Sequence, residues 1–297
     1  MTPEKSCFPV QIVTPKHYVL NGLWFGGSRP KTGIIFVHAL CETAFSHYEF
    51  LLPFASKNTA VLFFSNRGHD KVSGIIKIDK RSKKGYRREP GGEAQEKFTD
   101  CADDIAGAVN LLRKSGAKKI YLVGHSTGSQ KTAYYLAQGK NQKKIAGAAL
   151  LSPLSDYAGA KKSTPRAKLA RAQKFARTLV AKKKPHELLP ANIWPNILDA
   201  QRFLSLYTPE SKEEIFSYAE PKKRPRTLQK ITIPLLVVLA GKDEYRERDM
   251  DKIAEWFESN IMSESASIVT VPNASHGFRG KEKVIVKLIG ELVKPRD

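Results

Sequence analysis

Residues 124–128 of the chain read Gly124-His125-Ser126-Thr127-Gly128, a G-x-S-x-G pentapeptide. The apolar run KIYLV precedes it, and the helix-like stretch SQKTAYYLAQGK follows. Glycines on both sides of a sharp strand-to-helix turn remove Cβ atoms where the backbone is crowded. The serine can then hold a strained conformation and project its hydroxyl. The helix N-terminus behind it favours developing negative charge. The chemistry this arrangement offers is nucleophilic attack by Ser126. The pentapeptide alone occurs by chance in many chains; the strand–turn–helix setting is what sets this one apart from an ordinary turn serine.

A serine hydroxyl is a weak nucleophile and needs a base, which in turn needs an orienting carboxylate. After a turn of this kind, the acid and then the histidine follow the serine in chain order. The strand-like run PLLVVLAG leads directly into Lys242-Asp243-Glu244, which places Asp243 at the carboxyl end of a late strand. Glu244 is one step further along, and Asp156, after the preceding strand, is the fallback acid. The run ASIVTVP leads into Asn273-Ala274-Ser275-His276, so His276 sits in the loop before the last helix, where the base belongs. Of the other histidines, His17 and His186 lie in charged or proline-bounded text and His69 in a loop after Arg67-Gly68. His38 and His125 read as supports for the turns they border.

The oxyanion formed by such an attack needs two backbone N–H groups. One belongs to Thr127, the residue after the nucleophile. The other is expected from the loop His38-Ala39-Leu40-Cys41-Glu42-Thr43, with Leu40 as the first choice and Ala39 as the second.

These residues must be positioned by a framework, and the hydrophobic pattern supplies one. GIIFVHA, AVLFFSN, KIYLVGH, AGAALLS and PLLVVLAG are short continuous apolar runs, and ASIVTVP is a weaker one. Runs apolar on both faces fit a parallel sheet covered on both sides. Phe98, Cys101, Ala102, Ile105, Val109 and Leu112 follow a helical period, as do Ile253, Trp256 and Phe257, and Val284, Val286 and Ile289. Strand–helix alternation along the chain predicts an α/β fold with a mostly parallel, doubly wound sheet. PVQIV and YVLNGLWFGG read as an N-terminal antiparallel pair. Residues 154–230 break the alternation with helical patterns such as AKLARAQKFARTLV and DAQRFLSLY, split by prolines. The expected organisation is therefore a core over 1–153, a mainly helical basic insertion over 154–230, and the rest of the core over 231–297.

Taken together, His38-Ala39-Leu40, Arg67-Gly68-His69, Gly124-His125-Ser126-Thr127-Gly128, Gly241-Lys242-Asp243 and His276-Gly277-Phe278 resemble the α/β-hydrolase superfamily over nearly the whole length. Ala39 stands where glycine is usual. The resemblance implies hydrolysis of an ester, thioester or amide through an acyl-enzyme, and it puts 154–230 at the position of that superfamily's helical cap. A narrower set, Gly-His-Ser-Thr-Gly-Ser-Gln (124–130), Arg202-Phe203-Leu204-Ser205-Leu206 and Gly241-Lys242-Asp243-Glu244-Tyr245, is similar to the group that includes fungal siderophore esterases. Serine at the turn argues against dehalogenase or epoxide hydrolase chemistry, which in this fold uses aspartate there.

Composition bounds the remaining choices. The chain has 297 residues, 41% of them hydrophobic, and carries a formal charge of +21. It can bury a full core and is not a disordered basic tail. Residues 71–89 hold +6 and residues 154–230 hold +10, so the excess sits in what reads as one loop and in the insertion. An anionic substrate held by the insertion is one reading of that charge, and a basic nucleic-acid or acidic-surface binding protein is another. Against nucleic acid, the lysines of 161–184 are interleaved with a single aromatic, Phe175. Trp194, Phe203, Leu204, Leu206, Tyr207, Phe216 and Tyr218 could line an acyl pocket or simply pack the insertion; Arg67 and Tyr245 are expected near its rim. There is no nucleotide-binding or H-E-x-x-H pattern, so neither cofactor nor metal is expected. The three cysteines, Cys7, Cys41 and Cys101, are too scattered for a disulfide framework. With no apolar signal-like segment at the start and no apolar run of spanning length, a cytoplasmic setting without a transmembrane segment is expected.

Overall fold

The structure is a computed structural model that describes residues 6–220 and 222–294. The outer limits of the expected core, at residues 1 and 297, lie outside that range. Six parallel strands form its centre: β3 (Thr32–Val37), β4 (Thr59–Phe64), β7 (Lys119–His125), β8 (Gly147–Leu151), β9 (Leu235–Ala240) and β10 (Ala266–Val271). These match the apolar runs of the sequence to within two residues at either end. β8 and β9 are buried along their full length, as expected for strands covered on both faces.

The antiparallel side of the sheet begins with β1 (Cys7–Val13), which pairs along its whole length with β2 (Tyr18–Phe25). The basic stretch 71–89, read from sequence as a loop, instead contributes β5 (Ser73–Ile78) and β6 (Tyr86–Gly91), an antiparallel pair. Within β5 only Ile75 turns fully inward; Arg87 and Arg88 of β6 face solvent, and Lys77 packs over the Tyr18 ring. Charge on an edge strand discourages pairing with other chains, and it also hides the two-residue period in the sequence. The complete order is β10-β9-β8-β7-β3-β4-β2-β5-β6, with β1 on β2.

Helices cover both faces. α2 (Cys101–Lys114), α3 (Thr127–Leu136) and α7 (Met250–Asn260) pack on one side, through residues such as Ile105, Val109, Leu136, Ile253 and Phe257. The short α1 (Tyr48–Leu51) and α8 (Glu282–Val293) pack on the other, through Phe50, Leu51, Ile285, Ile289 and Leu292. Burying each such Leu, Ile or Phe side chain contributes about 1.5–3 kcal/mol, which is what seats the helices.

Between β8 and β9 the chain forms α4 (Asp156–Ser163), α5 (Arg166–Ala181) and α6 (Ala200–Tyr207). Ser155 caps α4 by accepting from the Ala158 N–H, and Asp199 caps α6 by accepting from the Arg202 N–H. Pro165 ends the turn before α5. These helices close over their own cluster, with Leu169, Ala172, Ala176, Leu198, Phe203 and Leu206 among its members. Among the described residues no helix is long and apolar enough to cross a membrane.

Candidate active site

Ser126 stands at the junction of β7 and α3 with φ 53° and ψ −124°, a conformation costly for a residue with a Cβ. Its neighbours hold it there. The Ser126 N–H donates to the Leu151 carbonyl at 2.8 Å, tying the turn to β8. A Cβ on Gly128 would lie 1.9 Å from the Val37 carbonyl oxygen, and one on Gly124 would lie 2.3 Å from the Gly128 carbonyl oxygen. Both glycines are therefore required by the close approach of the helix start to β3 and to its own strand.

The loops after β9 and β10 bring the other two candidates together. Asp243 is buried, and its Oδ2 is 2.7 Å from Nδ1 of His276. Glu244 does not compete for that nitrogen: its Oε2 accepts the His276 backbone N–H at 2.9 Å. Both carboxylates thus act on one histidine, one at the ring and one at the backbone. The His276 carbonyl is fixed from the opposite side by the Ser152 hydroxyl at 2.8 Å and by Nε2 of His125 at 3.0 Å. Asp156, the fallback acid, borders the same cavity but does not bond the His276 ring; its Oδ2 accepts from the Gln130 amide at 2.9 Å. Burial pushes the Asp156 carboxyl up to about 7, with the nearby Glu213 charge adding to the effect.

The two expected donors after β3 have different fates. The Ala39 N–H is committed to Oε2 of Glu42 at 2.9 Å, so the second-choice donor is already paired. The Leu40 N–H makes no hydrogen bond to a described residue, and Leu40 lines the cavity in front of Ser126. Thr127 is the first residue of α3, where a helix leaves its N–H without an internal partner. Beneath this loop, His38 supports the turn as expected: its Nδ1 contacts the Ala39 carbonyl at 2.8 Å and its Nε2 accepts the Asn66 N–H at 3.0 Å. Burial, reinforced by the charge of Lys131, lowers the His38 imidazole to about 4, so it is neutral there.

Sequence reasoning missed the partners of Glu42. Its Oε1 is 3.0 Å from Nε2 of His47, and His47 packs against His125 with ring centroids 4.4 Å apart. Burial opposes the charge on Glu42, but the hydrogen bond from His47 and the nearby imidazoles hold the carboxyl at about 2. Burial likewise opposes protonation of His47, and Glu42 and Glu49 reverse that to raise it. His125 is buried and lowered to about 3, by burial first and the neighbouring His47 second.

A cavity of about 690 Å³ opens over Ser126 and His276. Leu40, Leu154, Trp194, Tyr207 and Tyr245 line it, together with the acidic residues Glu42, Glu93, Asp156 and Glu244 and the basic residues Lys162 and Lys168. Of the aromatic and aliphatic residues considered for an acyl pocket, Trp194 and Tyr207 border this cavity. Phe203 and Leu206 are buried within the helical segment, and Phe216 and Tyr218 pack into the main core. Tyr245 lies at the rim as expected, its ring 4.8 Å from that of His276. Arg67 does not. It is buried and bound by Asp104 at 2.7 Å and Asp103 at 3.0 Å.

A second feature lies behind the nucleophile helix. Lys131 of α3 and Arg202 of α6 are fully buried and share Glu96, at 2.7 Å and 2.9 Å. Arg202 also binds Glu213 at 2.5 Å. Four charges thus bridge the central fold and the segment between β8 and β9.

Solved structures share this architecture. The Pyrococcus furiosus esterase Pf2001 is 19% identical, over 97% of this chain and 90% of its own, with a TM-score of 0.58. The α/β hydrolase GrgF from Penicillium sp. sh18 is 17% identical over 97% of each chain, with a TM-score of 0.63. Est1E from Butyrivibrio proteoclasticus, solved with ferulic acid bound, is 16% identical over 96% of this chain and 99% of its own, with a TM-score of 0.59. These likenesses show the α/β-hydrolase fold. No curated protein matches the chain. A family model with the description "Protein of unknown function (DUF1749)" matches residues 97–294.

Proposed function

The chain belongs to the DUF1749 family, and we propose that it is a serine hydrolase of the carboxylesterase type. The observation that carries this reading is the Asp243–His276 pair at 2.7 Å, at the edge of a cavity that Ser126 also lines. In this mechanism Nε2 of His276 takes the Ser126 proton as Oγ attacks the acyl carbon. Asp243 fixes the Nδ1–H tautomer and stabilises the imidazolium. The Thr127 and Leu40 N–H groups receive the oxyanion. The imidazolium returns its proton to the leaving alcohol, which departs and leaves an acyl group on Ser126. Water, deprotonated by His276, then attacks the acyl-enzyme, and the carboxylic acid is released with the serine regenerated.

The helical segment 154–230 acts as the cap in this reading, since Asp156, Lys162, Lys168, Trp194 and Tyr207 from it border the cavity. Aromatic walls at Trp194, Tyr207 and Tyr245 suit a medium-sized acyl group, and the feruloyl group is a sensible probe because Est1E was solved with ferulic acid. The thioesterase or siderophore-type reading, with an anionic substrate, has less support. Among the described residues, Lys162 and Lys168 are the only basic residues of the insertion that border the cavity, and four acidic residues, Glu42, Glu93, Asp156 and Glu244, border it too. The nucleic-acid reading is weaker still, because it assigns no work to the paired histidine and carboxylate. The cysteines of the described chain are free, in keeping with the reducing cytoplasmic setting that belongs to this proposal.

The direct test is hydrolysis of p-nitrophenyl esters and a feruloyl ester by the native chain and by Ser126→Ala. Loss of turnover by roughly 10³-fold or more in the variant supports the assignment. Retained turnover overturns it.

A further inference from the structure

We propose that Glu42, His47 and His125 form a binding site for a divalent transition-metal ion of the zinc class, set between the loop after β3 and the nucleophile turn. One donor atom from each residue lies within 4.8 Å of the others. Oε1 of Glu42 is 3.0 Å from Nε2 of His47 and 3.9 Å from Nδ1 of His125. Donors around a tetrahedral zinc ion stand roughly 3.3 Å apart, given bonds of ~2.0–2.2 Å. The three groups need to close up by only a side-chain adjustment.

His125 supplies the independent observation. Its side chain is 3% exposed. Its Nε2 lies 3.0 Å from the His276 carbonyl, which only accepts, so Nε2 carries the proton. Nδ1 is then a bare lone pair, buried and without any hydrogen-bond partner. An orphaned buried acceptor is costly, and here it points towards a carboxylate, which also only accepts. A cation between them satisfies both.

The outer contacts fit the same reading. Ligating histidines normally give their second N–H to a carbonyl or carboxylate, which fixes the ring. His125 does so to the His276 carbonyl, and Nδ1 of His47 faces Oε1 of Glu49 at 3.5 Å. The second oxygen of Glu42 is held by the Ala39 N–H at 2.9 Å. All three side chains are thus oriented from behind. An ion here replaces the proton that His47 places between itself and Glu42. Two imidazoles and one carboxylate favour zinc, cobalt, nickel or copper over magnesium or calcium, which take oxygen donors. Because Glu42 and His125 border the cavity, the fourth position opens to water or to a substrate oxygen. The ion would fasten the loop that carries Leu40 to the residue immediately before Ser126.

The test uses the full chain without a histidine tag, stripped with chelator and then dialysed against limiting Zn²⁺. Metal content is read by elemental analysis, and Co²⁺ is added separately as a spectroscopic probe. We expect about one zinc per chain and the visible absorption of four-coordinate Co²⁺. Glu42→Gln and His47→Gln should each weaken binding by at least ~10–100-fold, with His69→Gln, a half-buried control outside the cluster, unchanged. Circular dichroism confirms that each variant is folded. If the native chain takes up no ion, or if folded Glu42→Gln and His47→Gln bind like the native chain, the site does not exist. Ester hydrolysis is not part of this readout, so the result is independent of the catalytic proposal.

Discussion

Asp243 and His276 meet side chain to side chain at 2.7 Å across two loops 33 residues apart, while the next residue, Glu244, binds the backbone of the same histidine. The two acids therefore predict different losses. Asp243→Asn keeps the shape but favours the wrong tautomer, and kcat should fall by ~10⁴-fold. Glu244→Gln only weakens a contact that places the loop and should cost less than about tenfold, because a neutral amide oxygen still accepts the His276 N–H. Equal losses from the two changes in steady-state kinetics on one ester would remove the distinction between ring and backbone roles.

Gly128 lies where the helix start touches β3. A methyl group there would meet the Val37 carbonyl oxygen at 1.9 Å, a contact with rigid backbone. Gly128→Ala must push the turn away from the strand, displacing both Ser126 and the Thr127 N–H. We expect a loss of ~1–3 kcal/mol in denaturant unfolding, together with at least ~10²-fold in kcat. Native-like stability and turnover would mean that the turn tolerates a side chain there.

The ion pairs of Lys131, Glu96, Arg202 and Glu213 are buried on both sides of the junction between core and helical segment. Removing one member leaves its partners charged and dry. Arg202→Leu should destabilise the fold by ~3–5 kcal/mol in chemical denaturation. The double variant Arg202→Leu, Glu213→Gln should recover part of that loss, because one uncompensated charge is gone. Simple additivity of the two changes would show that the pair is not coupled.

Glu214 gives a pH dependence with a definite sign. It is buried with the Ser155 hydroxyl 2.7 and 2.8 Å from its two oxygens, and burial pushes its carboxyl up to about 8. In the unfolded chain a glutamate titrates near ~4.3. The folded state holds the proton more tightly, so this contribution is complete below pH ~4.3 and is lost as pH rises through about 8. Glu214→Gln carries no such group. Its Tm should fall by several degrees less than that of the native chain between pH 5 and 9. Parallel Tm profiles would show that the buried carboxyl does not titrate in this window.

Much of this molecule is legible in its text, for a physical reason. The parallel strands are apolar on both faces, so each announces itself as a run, and Ser126, Asp243 and His276 lie at or just beyond the ends of such runs. Ala39 was legible as part of the loop but not as a paired amide, since that depends on where Glu42 folds back. Arg67 reads as a polar residue near the site, yet three aspartates at the start of α2 draw it inward. Phe203, Leu206, Phe216 and Tyr218 could not be divided between pocket and packing without knowing which faces of the helical segment turn to the core. The joining of Lys131 to Arg202 through Glu96, and of His47 to His125 through Glu42, comes from distant chain positions with no shared period. Hydrophobic patterning carries no trace of either.

Every catalytic step proposed above depends on Ser126 as the nucleophile. A fluorophosphonate, which reacts with an activated serine and stays attached, tests this most directly. Intact-mass measurement followed by peptide mapping should show one adduct per chain, on Ser126, with none formed by Ser126→Ala and little by His276→Ala. An adduct mapped to another residue, or equal labelling of native chain and Ser126→Ala, would contradict the central claim.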